Sequence, residues 1–426
     1  MCQPSRTTRP RPDRRVVVTG LGAISPLGVG APELWAGLLD GRCGVRPLDG
    51  PEFDGQPIRI AATVPVEPGS LLPRPQARRM NRAAQFAVLA AREAWRDAGL
   101  DVGGTRDSEL DPTRTGVSVG SIIGGLPVLV DQDRRLRERG PRSVSPLTAA
   151  MAVPSQAASQ ISLDLHITGE ARTVVSACAS GTEAIGQAVD RIRYGHLDLV
   201  LAGGAEAAVT PAVMAAFASM RALSTRNDDP LAASRPFDRH RTGFVNGEGA
   251  GLLVLESEEH ALARGARIYC EAAGWGLSAD AHHLAAPDPT GVGIERAVRR
   301  ALVDAEAGTE DVMHVNAHAT GTIDGDAAEA RALRTLFGAG NVPVTAPKGG
   351  LGHLQGAAGG VEAVATALTL HHGVVPPTIG CDDLDENIGL DVVRKTTRVL
   401  SARGDLVLSN SFGFGGHNAV LALRRR

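Results

Sequence analysis

The sequence predicts a layered α/β fold built from two related halves. Apolar, strand-like runs alternate with helical patterns along the whole chain, which is typical of such folds. The halves show a faint duplication: residues 181–184 (Gly-Thr-Glu-Ala) and 360–363 (Gly-Val-Glu-Ala) each open a helix after a strand and a small-residue turn. With 426 residues, 43% of them hydrophobic, the chain is long enough to bury a large core.

The predicted elements fall into two series on either side of Arg264-Gly265. Each strand is a short apolar run bounded by turn residues, and each helix repeats its apolar positions every three to four residues. The first series, residues 15–264, has predicted strands at 15–19, 116–120, 173–176, 199–203 and 251–256, with helices at 82–98 and 183–194. The second series, residues 265–426, has predicted strands at 268–274, 313–317, 342–345, 406–409 and 419–423, with helices at 294–306, 327–336 and 361–371. Residues 1–14, rich in Arg and Pro, are expected to be a disordered lead, and the remainder one compact unit.

Composition argues against several classes of protein. The net charge is −3 and only 3% of residues are aromatic, which favours neither a nucleic-acid nor a membrane-surface partner. The longest apolar runs are too short for a membrane span. Five scattered cysteines without metal-ligand spacing indicate reduced thiols, so we expect a cytoplasmic protein.

Cys178 is the first candidate catalytic residue. It follows the strand-like run 173–176, sits among small residues, and precedes a helical pattern beginning at Glu183. A sulfur on such a bend lies at the positive end of the helix dipole, where backbone N–H groups favour the nucleophilic thiolate. A buried structural cysteine is the alternative, and Cys178 taken alone does not decide between the two.

Three further segments point to one family. His318 lies in 315–322 (VNAHATGT), Lys348 and His353 lie in the Gly-rich stretch 348–362, and a glycine-dense hairpin covers 409–418 (SNSFGFGGHN). Together with Cys178, in this order, they resemble the β-ketoacyl-acyl carrier protein synthases, most closely the elongating KAS II type. The resemblance runs from about residue 15 to residue 423, and its motifs are jointly specific.

The resemblance implies a thiolase-like, five-layer αβαβα fold of two pseudo-symmetric halves. It also implies transfer of an acyl group to Cys178, followed by decarboxylative condensation with a malonyl thioester on acyl carrier protein. It implies a homodimer, with a heterodimer left open, and no cofactor beyond the phosphopantetheine that carries the substrates. His318 and His353 match the two family histidines, whose N–H groups would stabilise the enolate oxygen that develops during decarboxylation. A zinc site of Cys plus two His is the alternative, although no fourth ligand stands out and the separations are wrong for a compact site.

The hairpin and the lysine carry further expectations. The backbone N–H groups of Cys178 and Phe414 would form the oxyanion hole, as the family implies, while Gly413 and Gly415 allow close approach and flexing. Phe414 would act as a gate, whereas core packing is the interpretation for Phe412. Only two of the 44 basic residues are lysines. This bias suggests that a compact ammonium is needed at Lys348, inside the Gly-rich motif, whereas Lys395 lies in a charged loop. The predicted network beneath the histidines consists of Lys348, Glu362, Asp326 and Glu329.

Peripheral residues are assigned by the same resemblance. Thr320 and Thr322 would bind the phosphopantetheine arm, and Ile123 would line the acyl tunnel, although a plain strand-to-turn role suits Ile123 nearly as well. The basic residues that open a helix could attract acidic acyl carrier protein or form a solvated face; these are Arg74, Arg78 and Arg79.

The chain departs from the family at three places, and the departures leave its pathway open. Gly349 stands where Ser is usual, Asn246 where Leu is usual, and Leu284-Ala285 where a pocket threonine is expected. These changes would reshape the cavity without removing a catalytic group. We expect a synthase of fatty acid biosynthesis; the alternatives are a ketosynthase of a polyketide or polyene pathway, with or without a chain-length partner, and a non-catalytic partner subunit, which Cys178 argues against.

Overall fold

The computed structural model describes residues 14–101 and 110–426. The strands are β1 Val16–Ser25, β2 Gly28–Val29, β3 Val45–Pro47, β4 Ile60–Ala62, β5 Thr115–Gly120, β6 Glu170–Val174, β7 Leu199–Ala207, β8 Glu248–Ser257, β9 Cys270–Ala279, β10 Val312–Asn316, β11 Pro343–Thr345, β12 Val374–Val375, β13 Asp391–Val392, β14 Arg398–Val399, β15 Leu406–Gly413 and β16 His417–Arg424. The helices are α1 Ala31–Leu39, α2 Arg74–Ala77, α3 Arg82–Asp97, α4 Leu126–Arg139, α5 Thr148–Ala152, α6 Gln156–Leu165, α7 Ser180–Arg193, α8 Pro211–Ser219, α9 Glu258–Ala263, α10 Val292–Asp304, α11 Ile323–Phe337, α12 Lys348–Leu351 and α13 Ala358–His372.

Every strand and helix expected from the sequence overlaps an observed one. Strand β6, predicted at 173–176, begins and ends earlier than expected; it ends at Val174 because the following residues form the turn that carries Cys178. The remaining helices were not expected: α1, α2, α4 to α6, α8, α9 and α12. Residues 1–13 of the predicted lead lie outside the described residues; Arg14, assigned to that lead, instead forms an ion pair with Asp198 and donates to the carbonyls of Ile192 and Leu197.

The large mixed sheet shows the internal duplication. Its order is β13-β11-β10-β15-β16-β9-β1-β8-β7-β5-β6. The series β1-β8-β7-β5-β6 and β9-β16-β15-β10-β11 repeat one pattern of neighbours: antiparallel, antiparallel, parallel, parallel. They meet where β1 pairs with β9. The two pseudo-symmetric halves are therefore confirmed, and the predicted junction at 264–265 lies between α9 and β9.

The layers follow from where each helix packs. Helices α7 and α13 lie in the middle and contact strands of both series, while α3 covers β1, β7 and β8 and α10 covers β9 and β16. Small residues make the central contact possible: a Cβ on Gly181 would lie 2.8 Å from the Gly360 nitrogen. Residues Ala358 to Leu370 of α13 are all buried, as a helix between two sheets requires. Within the described ranges, no helix is both long and apolar enough to cross a membrane.

The topology brings the candidate motifs to one place. The parallel strands β6, β10 and β11 end next to the central helices, and their carboxyl ends lead directly into Cys178, His318 and Lys348. In open α/β sheets, ligands bind outside the carboxyl ends of the strands. Residues more than a hundred positions apart in sequence thus meet at one edge of the core.

His314 in β10 makes the fold sensitive to acid. Its ring is buried, both of its nitrogens have no hydrogen-bond partner among the described residues, and burial lowers its pKa to about 3. As pH falls below about 6.5, this ring becomes protonated in the unfolded chain but stays neutral in the folded chain. Proton binding therefore stabilises the unfolded state, and the free energy of unfolding falls. At about pH 5 the loss is roughly 2 kcal/mol, since each unit of pKa is worth about 1.4 kcal/mol.

We expect His314→Leu to reduce the loss of unfolding free energy between about pH 7.5 and pH 5 by roughly 2 kcal/mol. Denaturant melts at both pH values measure it. The matched control is His196→Ala, because His196 is exposed. An identical pH dependence in His314→Leu and the control would contradict the assignment to His314.

Candidate active site

A cavity of about 380 Å³ lies where the two halves meet. Side chains from the loops after β6, β10 and β11 and from the β15–β16 turn contribute to its wall. The predicted residues on that wall are Cys178, His318, Thr320, Thr322, His353, Gly413 and Phe414. The structure therefore brings the predicted nucleophile and both predicted imidazoles to one space.

Cys178 sits on a strained turn between β6 and α7. Ala177 has a φ of 50°, a left-handed conformation that costs energy in a residue with a Cβ. The Ser180 hydroxyl stabilises the turn, because it accepts from the Ser176 N–H (2.9 Å) and donates to the Ala177 carbonyl (2.5 Å). The turn aims the sulfur into the cavity just before α7 begins at Ser180.

The resting form of Cys178 differs from the sequence expectation. Burial raises the pKa of the thiol to about 12, and this outweighs three influences that lower it: the charge of Lys348 and the backbone N–H groups of Phe414 and Cys178. The predicted stabilisation of the thiolate by backbone N–H groups is therefore present but outweighed, since the sequence showed the helix terminus and not the depth of burial. The two N–H groups that reach the sulfur are the pair predicted to form the oxyanion hole.

The two imidazoles are adjacent and neutral. The ring centroids of His318 and His353 are 5.4 Å apart with planes at 88°. Burial, and then the nearby Lys348 charge, lowers the pKa of each ring well below its usual value. Each ring therefore carries one N–H and no charge at neutral pH, which suits a hydrogen-bond donor to a developing oxyanion.

Lys348 forms a buried ion pair with Glu362, as predicted from the sequence. The lysine side chain is 1% exposed and that of Glu362 is 2% exposed. Burial raises the pKa of Glu362 to about 7, against the lowering effect of Lys348. The charge of this ammonium lowers the pKa of Cys178 and of both histidines.

The other two carboxylates of the predicted network hold backbone segments. Glu329 accepts from the N–H groups of His318 (3.0 Å) and Ala319 (2.8 Å), which fixes the His318 loop. Asp326 accepts from the N–H groups of Phe237 (2.8 Å) and Gly321 (3.1 Å). Asp326 therefore organises the neighbouring loop and does not contact Lys348.

The β15–β16 turn closes over the cysteine. A Cβ on Gly413 would lie 2.9 Å from both the Cys178 nitrogen and the Ser176 carbonyl oxygen, so this position accepts only glycine. Gly415 has a φ of 83°, which turns the chain back after Phe414. The Phe412 ring, assigned to core packing by the sequence, lies with its centroid 5.6 Å from that of His318 and lines the cavity.

Comparison with known proteins identifies the family. The model of the beta-ketoacyl synthase N-terminal domain matches residues 13–261, more than half of the chain, and that of the beta-ketoacyl synthase C-terminal domain matches residues 269–382. The chain belongs to the beta-ketoacyl synthases.

Relatives of this beta-ketoacyl synthase match it over almost its whole length. It is 44% identical to 3-oxoacyl-acyl-carrier-protein synthase 2 of Synechocystis sp. (97% of this chain, 98% of the relative) and 41% identical to the protein of that name from Coxiella burnetii (97% and 99%). Among solved structures, the ishigamide ketosynthase/chain length factor is 38% identical with a TM-score of 0.87 (98% and 100%). A type II PKS acyl-carrier protein in complex with its ketosynthase contains a chain that is 31% identical with a TM-score of 0.88 (97% and 99%).

The peripheral residues of the beta-ketoacyl synthase are placed unevenly around the cavity. The hydroxyls of Thr320 and Thr322 lie 3.1 Å apart on its wall. Ile123, the predicted tunnel residue, is not part of the wall of this cavity, and its N–H donates to the Glu206 carboxylate at 3.2 Å. The three basic residues near α2 are exposed and do not line the cavity; they are Arg74, Arg78 and Arg79.

Sequence reasoning missed two buried polar residues of the beta-ketoacyl synthase. Glu206 accepts from the N–H groups of Ile122 (2.6 Å) and Gly124 (3.1 Å) and so holds the segment that contains Ile123. Gln355 lies within hydrogen-bond distance of Cys178, with its Oε1 3.7 Å from the sulfur. Its position two residues after His353 was the available signal. No group of three His, Cys, Asp or Glu side chains within residues 14–101 and 110–426 could hold a metal ion.

Proposed function

We propose that this beta-ketoacyl synthase joins an acyl group held on Cys178 to the two carbons that a malonyl thioester of acyl carrier protein supplies, in fatty acid biosynthesis. The observation that carries the proposal is one cavity lined by the buried thiol and two neutral imidazoles, with the charge of the buried Lys348 ammonium acting on all three. Each of these groups has a separate task in the two half-reactions. Relatives over 40% identical across nearly the full length, named 3-oxoacyl-acyl-carrier-protein synthase 2, support the same activity.

The first half-reaction transfers the acyl group to Cys178. The sulfur attacks the carbonyl carbon of the acyl thioester, and the negative charge on the oxygen is held by the N–H groups of Cys178 and Phe414. The bond to the carrier's pantetheine sulfur then breaks, and that sulfur leaves with the proton that the Cys178 thiol gave up. Burial favours the protonated thiol before the substrate binds.

The second half-reaction makes the new carbon–carbon bond. The malonyl carboxylate leaves as carbon dioxide, and its bonding electrons pass to the thioester as an enolate whose oxygen accepts from the neutral His318 and His353 rings. The enolate carbon attacks the acyl carbon on Cys178, the carbon–sulfur bond breaks, and the thiolate that leaves takes up one proton from the solvent. The products are carbon dioxide and a β-ketoacyl chain on the carrier.

The carrier protein is the proposed macromolecular partner. Its phosphopantetheine would lie along Thr320 and Thr322, whose adjacent hydroxyls line the way into the cavity. The exposed arginines near α2, Arg74, Arg78 and Arg79, would meet an acidic carrier surface. A solved ketosynthase relative is in complex with an acyl-carrier protein, which supports this class of partner. The proposal requires no cofactor.

A second copy of the chain is the proposed subunit partner. Strand β6 is an edge of the large sheet, paired only with β5 in the part of the chain that is described. Exposed apolar side chains lie beside or near it, including Val175 (59% exposed) and Leu163 (67% exposed). An unpaired edge flanked by apolar surface is suited to pairing with the same edge of another chain. Four cysteines that are free thiols in the structure fit the reducing cytoplasm proposed for this dimer: Cys43, Cys178, Cys270 and Cys381.

A specific observation also favours a second candidate function, a ketosynthase of a polyketide pathway. The ishigamide ketosynthase/chain length factor shares the fold at 38% identity, and the cavity wall carries the polar side chain of Gln355 beside the sulfur. Such a wall is less suited to a saturated alkyl chain than an apolar one would be.

Primer choice separates the two candidates. We expect the purified protein, given malonyl-acyl carrier protein and a panel of acyl primers, to extend saturated chains by two carbons with loss of carbon dioxide, as weighed by mass spectrometry. Exclusive extension of unsaturated or β-keto primers would favour the polyketide pathway. If no primer is extended while the carrier and primers are intact, condensation itself is contradicted.

A further inference from the structure

Two buried carboxamides lie next to the thiol and form a hydrogen-bonded chain. Gln355 is 2% exposed and Asn246 is fully buried. The Gln355 Nε2 donates to Asn246 Oδ1 at 2.9 Å, and the Asn246 Nδ2 donates to the backbone carbonyl of Ala208 at 2.9 Å. Gln355 also has a φ of 52°, so its backbone is held in a conformation that glutamine rarely adopts.

This chain of contacts leaves one orientation for the Gln355 amide. A backbone carbonyl only accepts, so the side of Asn246 that faces Ala208 must be its NH₂ group. The Asn246 oxygen then faces Gln355, so the Gln355 group that donates to it must be the NH₂ group. The Gln355 oxygen is therefore turned toward Cys178, with its Oε1 3.7 Å from the sulfur. An acceptor in this place can bind the thiol only while the sulfur carries its proton.

We propose that Asn246 and Gln355 are positioning residues that hold the Cys178 thiol in its protonated form until a substrate thioester arrives. Asn246 acts through Gln355, whose carbonyl oxygen accepts from the S–H group and would repel a thiolate. The inference rests on the proposed function only in taking Cys178 as the nucleophile. It adds a polar restraint on reactivity that the catalytic groups do not supply.

The restraint opposes some of the influences on the sulfur and acts together with others. The Lys348 charge on α12 and the N–H groups of Phe414 and Cys178 favour the thiolate, whereas burial and the Glu206 carboxylate on β7 disfavour it. His318 and His353, on the loops across the cavity, are neutral. The Gln355 oxygen is the hydrogen-bond partner of the thiol, so reversing that amide would replace an acceptor with a donor.

Substitution of Asn246 provides that reversal. In Asn246→Leu the Gln355 NH₂ group loses its acceptor, and rotation of the amide lets it donate to the sulfur. Hydrogen bonding to the charged form lowers the pKa of a thiol. We expect alkylation of Cys178 by iodoacetamide near pH 8 to become about tenfold faster, which corresponds to a fall of about one unit in its pKa.

The measurement follows the Cys178 peptide by mass spectrometry across a pH series on the full-length protein, with the Cys43 peptide as the reference for reagent activity. The matched background is Gln355→Leu, in which there is no amide to rotate. We expect Asn246→Leu to change the alkylation rate in the wild-type background and to have no effect when added to Gln355→Leu. Acyl-enzyme formation from acyl-acyl carrier protein is measured separately on the wild type, so failure of the proposed function shows there and not in the alkylation series.

Either of two results would overturn the inference: an Asn246→Leu pH profile that coincides with that of the wild type, or an equal effect of Asn246→Leu in both backgrounds. Asn246 also lies on the segment that brackets His353, whose N–H donates to Val245 and whose carbonyl accepts from Gly247. Asn246→Ala, which removes the same acceptor without adding bulk, therefore repeats the test if the leucine variant does not fold. A faster reaction in Asn246→Ala that disappears in the Gln355→Leu background supports the inference equally.

Discussion

Replacing Cys178 by alanine is expected to abolish the covalent acyl-enzyme and to lower condensation by at least about a thousandfold. The sulfur is the atom that carries the primer between the two half-reactions, and no other cysteine of residues 14–101 and 110–426 lines the cavity. Incubation with acyl-acyl carrier protein followed by intact-protein mass spectrometry checks the first result: the wild type gains the mass of the acyl group and Cys178→Ala gains none.

Decarboxylation should survive in the same variant. Loss of carbon dioxide from the malonyl thioester depends on the N–H groups of His318 and His353, which Cys178→Ala leaves in place. The converse variant, His353→Ala, is expected to acquire the acyl group and fail to condense it. Acylation of Cys178→Ala, or loss of acylation and decarboxylation together in each variant, would contradict the division of labour between the sulfur and the imidazoles.

Lys348→Met is expected to lower both the stability and the decarboxylation activity of the protein. It leaves the Glu362 carboxyl buried without its partner, and breaking a buried ion pair costs roughly 3–5 kcal/mol. It also removes the charge that helps to lower the pKa of both imidazoles, so the pKa values of His318 and His353 should rise. Decarboxylation should fall by about a hundredfold or more, because the donors and the ammonium are arranged around the same developing charge.

Two companion variants separate stability from catalysis at this pair. Lys348→Met/Glu362→Gln removes both charges, so denaturant melts should recover most of the lost stability while activity stays low. Lys348→Arg keeps the charge but places a larger, planar group where the side chain is only 1% exposed, and we expect it to be poorly active. Full activity in Lys348→Arg would show that the site accepts any cation, contrary to the prediction from lysine's rarity in the chain.

The sequence by itself determined the periodic elements and the small-residue turns. Apolar runs and helical spacing predicted every strand of the two central series, because a strand buried on both faces has few polar positions. Cys178, His318, Lys348 and His353 were recognisable because the small-residue motifs around them, taken together and in order, resemble those of the beta-ketoacyl synthases. The short helices and the end of β6 at Val174 were missed because they depend on packing and on a turn of only a few residues.

Only the tertiary structure decided how these residues meet and in which protonation state. Burial keeps the Cys178 thiol protonated, although a helix terminus alone predicts a thiolate, since desolvation depends on atoms from distant parts of the chain. Tertiary packing also decided the positions of three side chains. Phe412 lies beside His318, Asp326 binds backbone N–H groups away from Lys348, and Gln355 is oriented toward the sulfur by Asn246. Their partners lie from five to more than a hundred residues away, and no local pattern in a sequence records which way a folded chain will turn an amide or close a cavity.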